Sequence, residues 1–158
     1  GHSHIAFLGG IRNAHLAAVD RARWEGYEMT MTDAGLNPLH IASPVTMPGG
    51  YDAAVDLLSR SSQRPTAIVG VCDEVAIGAI IAARRLGIDV PRALSVIGID
   101  NHENAEMFSL TTFEQKPGEQ GGTAADLLLA QLGATEPKTI ELRLKARLVL
   151  RTSTAPPL

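Results

Sequence analysis

The chain has 158 residues, 45% of them hydrophobic and 20% charged, enough to bury the core of one soluble globular domain or a piece of a larger one. Its net charge of −3 leaves no basic excess to neutralise phosphates along a duplex, which argues against a nucleic-acid grip by this segment alone. A single cysteine, Cys72, excludes an intrachain disulfide, no apolar stretch approaches the ~20 residues that span a bilayer, and no export signal opens the chain, so a reducing, cytoplasmic setting without a membrane is expected.

Ile5–Leu8, closed by Gly9-Gly10, reads as a buried strand of a mostly parallel sheet. From Ala14 to Leu36 apolar residues recur at three- and four-residue steps, which predicts a long helix with Asn13 as N-cap and Gly35 as C-cap. Leu39–Ile41 reads as a short strand, Met47-Pro48-Gly49-Gly50 as a break, and residues 50–59 as an amphipathic helix. Thr66–Val71 is a doubly covered strand, followed by a helix with Asp73 as N-cap and Gly87 as stop. Leu94–Ile99 repeats the strand pattern and ends at Asp100, Thr111–Gln115 is extended, and a helix runs from Gly118 to Leu132 with Gly133 at its end. Thr139–Arg151 alternates cleanly and predicts one long strand whose Arg and Lys row faces solvent. The order βαβαβαβ predicts an α/β fold with an open, doubly wound parallel sheet.

Ligands of such sheets bind beyond the carboxyl ends of the strands, which selects Gly9 to Asn13, the loop before Gly50, Cys72, Asp73, Asp100 and Asn101. Arg23 joins them because a guanidinium in line with Val19, Tyr27 and Met31 on an apolar helix face needs acceptors, unless its head escapes to water. Asp73 reads first as an N-cap and second as a ligand contact. Asp100 follows a strand and has no cap to explain it, although it could close a turn. Cys72 reads as a small buried hydrophobe, and His2 and His4 as strand-edge or chain-end residues rather than metal ligands. No Ser/His/Asp set, paired catalytic carboxylates, zinc spacing or phosphate loop stands out, so no enzyme, metal or cofactor is expected.

Taken in order, His4–Gly10, Arg23 with Gly26-Tyr27, Ala34-Gly35-Leu36, Pro65–Ile68, Asp73–Ala79, Leu86–Pro91, Leu94–Asn101, Leu110–Pro117 and Leu150–Thr154 resemble LacI/GalR-type bacterial transcription regulators over essentially the whole chain. The resemblance implies a periplasmic-binding-protein-like effector domain of two subdomains around a cleft, working as a homodimer. Operator DNA would then be bound only through an N-terminal helix-turn-helix that has no counterpart in these residues. It divides the chain into residues 1–115 as the C-terminal subdomain, 116–146 as a crossover helix and strand of the N-terminal subdomain, and 147–158 as the return and tail. Arg23 corresponds to the arginine that clamps effector hydroxyls or carboxylate, Asp100 to the carboxylate that accepts from sugar or purine, and Gln115 to the polar residue at the crossover. Asp73, Cys72 and Val45 complete the expected effector-facing set, with Cys72 standing where the family commonly has Asn, Val45 near where an aromatic often stacks, and a loop from His102 to Ser109 that looks shortened. Ile77, Ile80 and Ile81 cover more than one stripe of their helix, and the resemblance makes them the expected dimer surface. The expectation is the effector-binding and dimerisation region of a repressor sensing a small polar ligand such as a sugar. The alternatives are an extracytoplasmic solute-binding protein of the same fold and an α/β enzyme using Asp73 or Asp100 as base.

Overall fold

The computed structural model describes residues 1–10, 18–60, 64–132 and 138–158. The apolar run Ile5–Leu8 forms β1, followed by α1 (Ala18–Asp33), β2 (Leu39–Ile41), α2 (Met47–Leu58), β3 (Ala67–Gly70), α3 (Asp73–Arg85) and β4 (Ser95–Asp100). A turn of 3-10 helix at Glu103–Ala105 leads to β5 (Thr111–Glu114), α4 (Pro117–Leu132) and β6 (Arg147–Val149). The strands form one sheet in the order β2-β1-β3-β4-β5-β6. β1 to β5 are parallel and β6 is antiparallel to β5, with Phe113 opposite Leu148. Successive side chains of a strand point to opposite faces, so Ala6, Leu8, Ile68 and Val96, all fully buried, lie on one side of the sheet. Against the other side Phe7, Trp24, Tyr27 and His40 form an aromatic cluster with ring centroids 4.7 to 6.0 Å apart. The Tyr27 hydroxyl donates to the Ile5 carbonyl at 2.9 Å and accepts from the Leu39 amide at 3.1 Å, tying α1 to β1 and β2.

α2 starts three residues before the expected Gly50. Thr46 caps it, its hydroxyl accepting from the Gly49 amide at 3.1 Å, and Pro48 stands in the first turn, where its missing N–H is not needed. Gly50, which read as part of a break, is a contact: a Cβ there would lie 2.5 Å from the Val75 carbonyl oxygen, and across the same interface one on Gly78 would lie 2.3 Å from that of Met47. α2 and α3 therefore meet backbone to backbone. α3 buries nearly every residue of its first three turns, which corrects the expected dimer surface: Ile77 and Ile80 are 0% and 1% exposed inside this chain's own core, and only Ile81 remains partly open. The N-cap of α3 is also corrected. Cys72 occupies that position through its extended backbone, and Asp73 is the first helical residue, its side chain turned elsewhere.

α1 and α3 end at the expected Gly35 and Gly87, both in the left-handed region. Asn13 and Gly133 lie outside the described residues. The long strand expected from Thr139 to Arg151 shortens to Arg147–Val149, because a strand needs a neighbour's backbone and β5 supplies one only from Thr112 to Glu114. Ile140, Leu142 and Leu144 instead face α4 residues Thr123, Ala124 and Leu127 across a groove of about 430 Å³.

Candidate functional site

In this strand order the chain turns one way from β1 to β2 and the other way from β3 onward, so the topological switch falls between the carboxyl ends of β1 and β3. α1 lays Arg23 over that point. One guanidinium nitrogen, Nη1, donates to the Val71 carbonyl just past β3 at 2.8 Å, and Nη2 donates to Asp100 Oδ1 at the end of β4 at 2.7 Å. Gln115, just past β5, donates from Nε2 to the same Oδ1. Two side chains distant in sequence thus converge on one carboxylate oxygen, with the Arg23 side chain 16% and the Asp100 side chain 35% exposed. Among the described residues nothing donates to Oδ2. Burial raises the Asp100 pKa above the usual carboxylate value, and Arg23 and Gln115 draw it back only in part.

The backbone that presents this carboxylate is itself unusual. Asp100 has φ +118° and Asn101 φ +55°, a left-handed pair that non-glycine residues adopt only when the surroundings hold them there. The Asn101 amide nitrogen donates to the Thr112 hydroxyl at 3.2 Å, its Nδ2 to Glu114 Oε1 at 3.2 Å, and its Oδ1 accepts from Arg151 Nη2 at 3.0 Å. Glu114 in turn is paired with Arg147 at 2.9 Å, which holds the carboxyl below its ordinary value.

Asp73 is fully buried and both its oxygens are engaged away from the cleft: Oδ2 accepts from the His102 amide at 2.7 Å and Oδ1 from the Thr112 hydroxyl at 2.6 Å. Burial holds its pKa above the usual value. Cys72 is buried, and desolvation pushes its thiol up to about 12, which leaves it a neutral hydrophobe at physiological pH. Val45 is exposed in the loop between β2 and α2. His2 serves the fold, bonding Thr66, Ser95 and the Ala155 carbonyl and so fastening the tail to the sheet. Glu114, Arg147, Arg151 and Thr112 were not legible as site-supporting residues. Their partners lie on other strands, and the one local signal is a charged Glu114 beside Gln115 at a strand end. Among the described residues no group of three His, Cys, Asp or Glu side chains could hold a metal ion, and no helix is long and apolar enough to cross a membrane.

Residues 1–154 match the family model for the periplasmic binding protein-like domain. The chain is 35% identical over 160 residues to the HTH-type transcriptional repressor PurR of Edwardsiella ictaluri, covering 98% of this chain and 46% of that protein. It belongs to the LacI/GalR family. A crystal structure of a LacI-family transcriptional regulatory protein from Corynebacterium glutamicum superposes with a TM-score of 0.82 at 37% identity, covering 99% of this chain and 60% of that one. A LacI family regulator from Enterococcus faecium, solved with bound ribose, gives a TM-score of 0.84 at 29% identity, covering 99% and 58%. The chain spans about half the length of the curated relatives it matches.

Proposed function

We propose that this chain is the effector-binding and dimerisation region of a LacI-type transcriptional repressor that senses a small hydroxylated ligand such as a sugar in the cytoplasm, binding rather than transforming it. The observation that carries this reading is the convergence of Arg23 and Gln115 on one oxygen of Asp100 at the switch point of the sheet. That arrangement leaves Asp100 Oδ2 as an acceptor beside the remaining N–H groups of Arg23. A vicinal diol fits such a pair, one hydroxyl donating to the carboxylate and its neighbour accepting from the guanidinium, in a cleft already partly dry. A pentose is the first candidate, on the ribose held by the Enterococcus relative. Calorimetry of the intact protein against D-ribose, other pentoses and hexoses, and purine bases tests this. Binding of one of them that Arg23→Ala abolishes supports the reading, and wild-type affinity in that variant rejects it.

Residues 116–146 belong, on the same reading, to a second subdomain of the effector domain, and operator DNA would be contacted by a separate N-terminal helix-turn-helix. The support is α4, which has no buried residue, its Leu128, Leu129 and Leu132 being 62%, 67% and 74% exposed. Apolar surface left wet costs on the order of 25 cal/mol per Å². Amides of residues 118–132 should therefore exchange faster than those of 67–70 in the 158-residue chain, and equal protection in a monomer would remove the division. Self-association is assigned to the side of α3 still open to solvent, at Ile81, next to the Arg84 guanidinium that lies 5.6 Å over the Phe108 ring, and exposed Met107.

A further inference from the structure

We propose that Asn101 is the positioning residue of the site: it makes no use of the ligand itself but fixes the direction of the Asp100 carboxylate, a proposal that rests on Asp100 being a ligand contact. The geometry is specific to an asparagine. Its backbone sits at φ +55°, directly after Asp100 at φ +118°, so the strand ends in two consecutive left-handed residues that would relax if nothing held them. The side chain supplies what holds them. Its NH2 end donates to Glu114 Oε1 on β5, and its carbonyl end accepts from Arg151 beyond β6, so both ends of the amide are read by groups of opposite chemistry. The Glu114 carboxylate is kept in place by Arg147, and Arg151 is kept in place by a second bond to the Leu110 carbonyl at 2.8 Å. The backbone is clamped as well, through Thr112, whose hydroxyl accepts from the Asn101 amide and donates to Asp73.

Among residues that tolerate the left-handed region, glycine has no side chain and aspartate has no donor, so neither satisfies Glu114 and Arg151 together. Asn101→Asp keeps the acceptor toward Arg151 but places a second carboxylate against Glu114, where a donor now stands at 3.2 Å. Asn101→Asp with Glu114→Gln restores the bond with its direction reversed, the new glutamine donating to the new aspartate. Asn101→Gly leaves the backbone at ease and removes the amide, which separates side-chain recognition from backbone conformation.

The test is the exchange rate of the Arg23 Nη2 protons in the intact protein labelled with 15N-arginine, since Nη2 donates to Asp100 while Nη1 is held separately by the Val71 carbonyl. Asn101→Asp and Asn101→Gly should each speed that exchange about tenfold or more, and Asn101→Asp/Glu114→Gln should return it most of the way to wild type, with far-ultraviolet circular dichroism unchanged in the glycine variant. Exchange at the wild-type rate in the glycine variant, or a double variant no slower than Asn101→Asp, overturns the proposal. Should Asn101→Asp not fold, the glycine variant decides alone. Titration of wild type with D-ribose separates the two readings. A ribose that leaves Arg23 unmoved counts against the pentose reading and not against Asn101, whose role is read without ligand.

Discussion

Removing the Asp73 carboxylate should cost this domain more than removing any other single charge, and the structure sets the size. Asp73 is fully buried and accepts from the His102 amide at 2.7 Å and the Thr112 hydroxyl at 2.6 Å. Asp73→Ala leaves both donors without that partner, at about 1–3 kcal/mol each, so a loss of roughly 2–6 kcal/mol is expected, a large fraction of a typical domain's stability. Asp73→Asn keeps an acceptor for His102 and turns an NH2 toward Thr112, leaving one hydroxyl proton unplaced, so it should cost less, about 1–2 kcal/mol. The sign of the pH dependence follows from burial. The folded-state pKa lies above the unfolded value, so the folded chain binds the proton more tightly, and this contribution is greatest below pH ~4 and is lost as pH rises through the folded value. Wild type should therefore gain on Asp73→Asn as pH falls from neutral toward ~4, and because both proteins carry Asp100, its own upward shift cancels in the comparison. Urea denaturation at several pH values measures it. An Asp73→Ala variant within ~0.5 kcal/mol of wild type, or a difference from Asp73→Asn that shrinks on acidification, would refute the account.

Gly78→Ala, whose new Cβ would lie 2.3 Å from the Met47 carbonyl oxygen, should force α2 and α3 apart and lower stability by about 1–3 kcal/mol, read by thermal denaturation, where an unchanged midpoint would contradict the contact. Ile77→Ala should lower stability by about 2–5 kcal/mol without shifting the monomer–dimer equilibrium of whatever remains folded, as sedimentation would show. Ile81→Asp should do the reverse, raising the monomer fraction at little cost in folding.

The sheet was legible in the sequence because parallel strands buried on both faces leave unbroken apolar runs, and Ile5–Leu8, Ala67–Gly70 and Val96–Ile99 are such runs. Arg23 was legible for the complementary reason, as a lone guanidinium on an apolar helix stripe. What was not legible depends on partners distant in the chain. Gly50 resembles a break until α3 is seen lying against it, and Asp73 resembles a cap until the loop after β4 and the Thr112 hydroxyl on β5 are seen hanging from it. The alternation from Thr139 to Arg151 records two faces without recording whether a neighbouring strand exists, and only three residues find one. Arg151 read as one more charge on a wet face, although it reaches 50 positions back to Asn101.

The most direct measurement of the central claim is a crystal structure of the intact protein with the ligand that calorimetry selects. The account predicts a hydroxyl of that ligand donating to Asp100 Oδ2 and another accepting from the Arg23 guanidinium, with Gln115 at the rim of the same cleft. A ligand seated elsewhere, with the Arg23–Asp100 pair untouched, would contradict it.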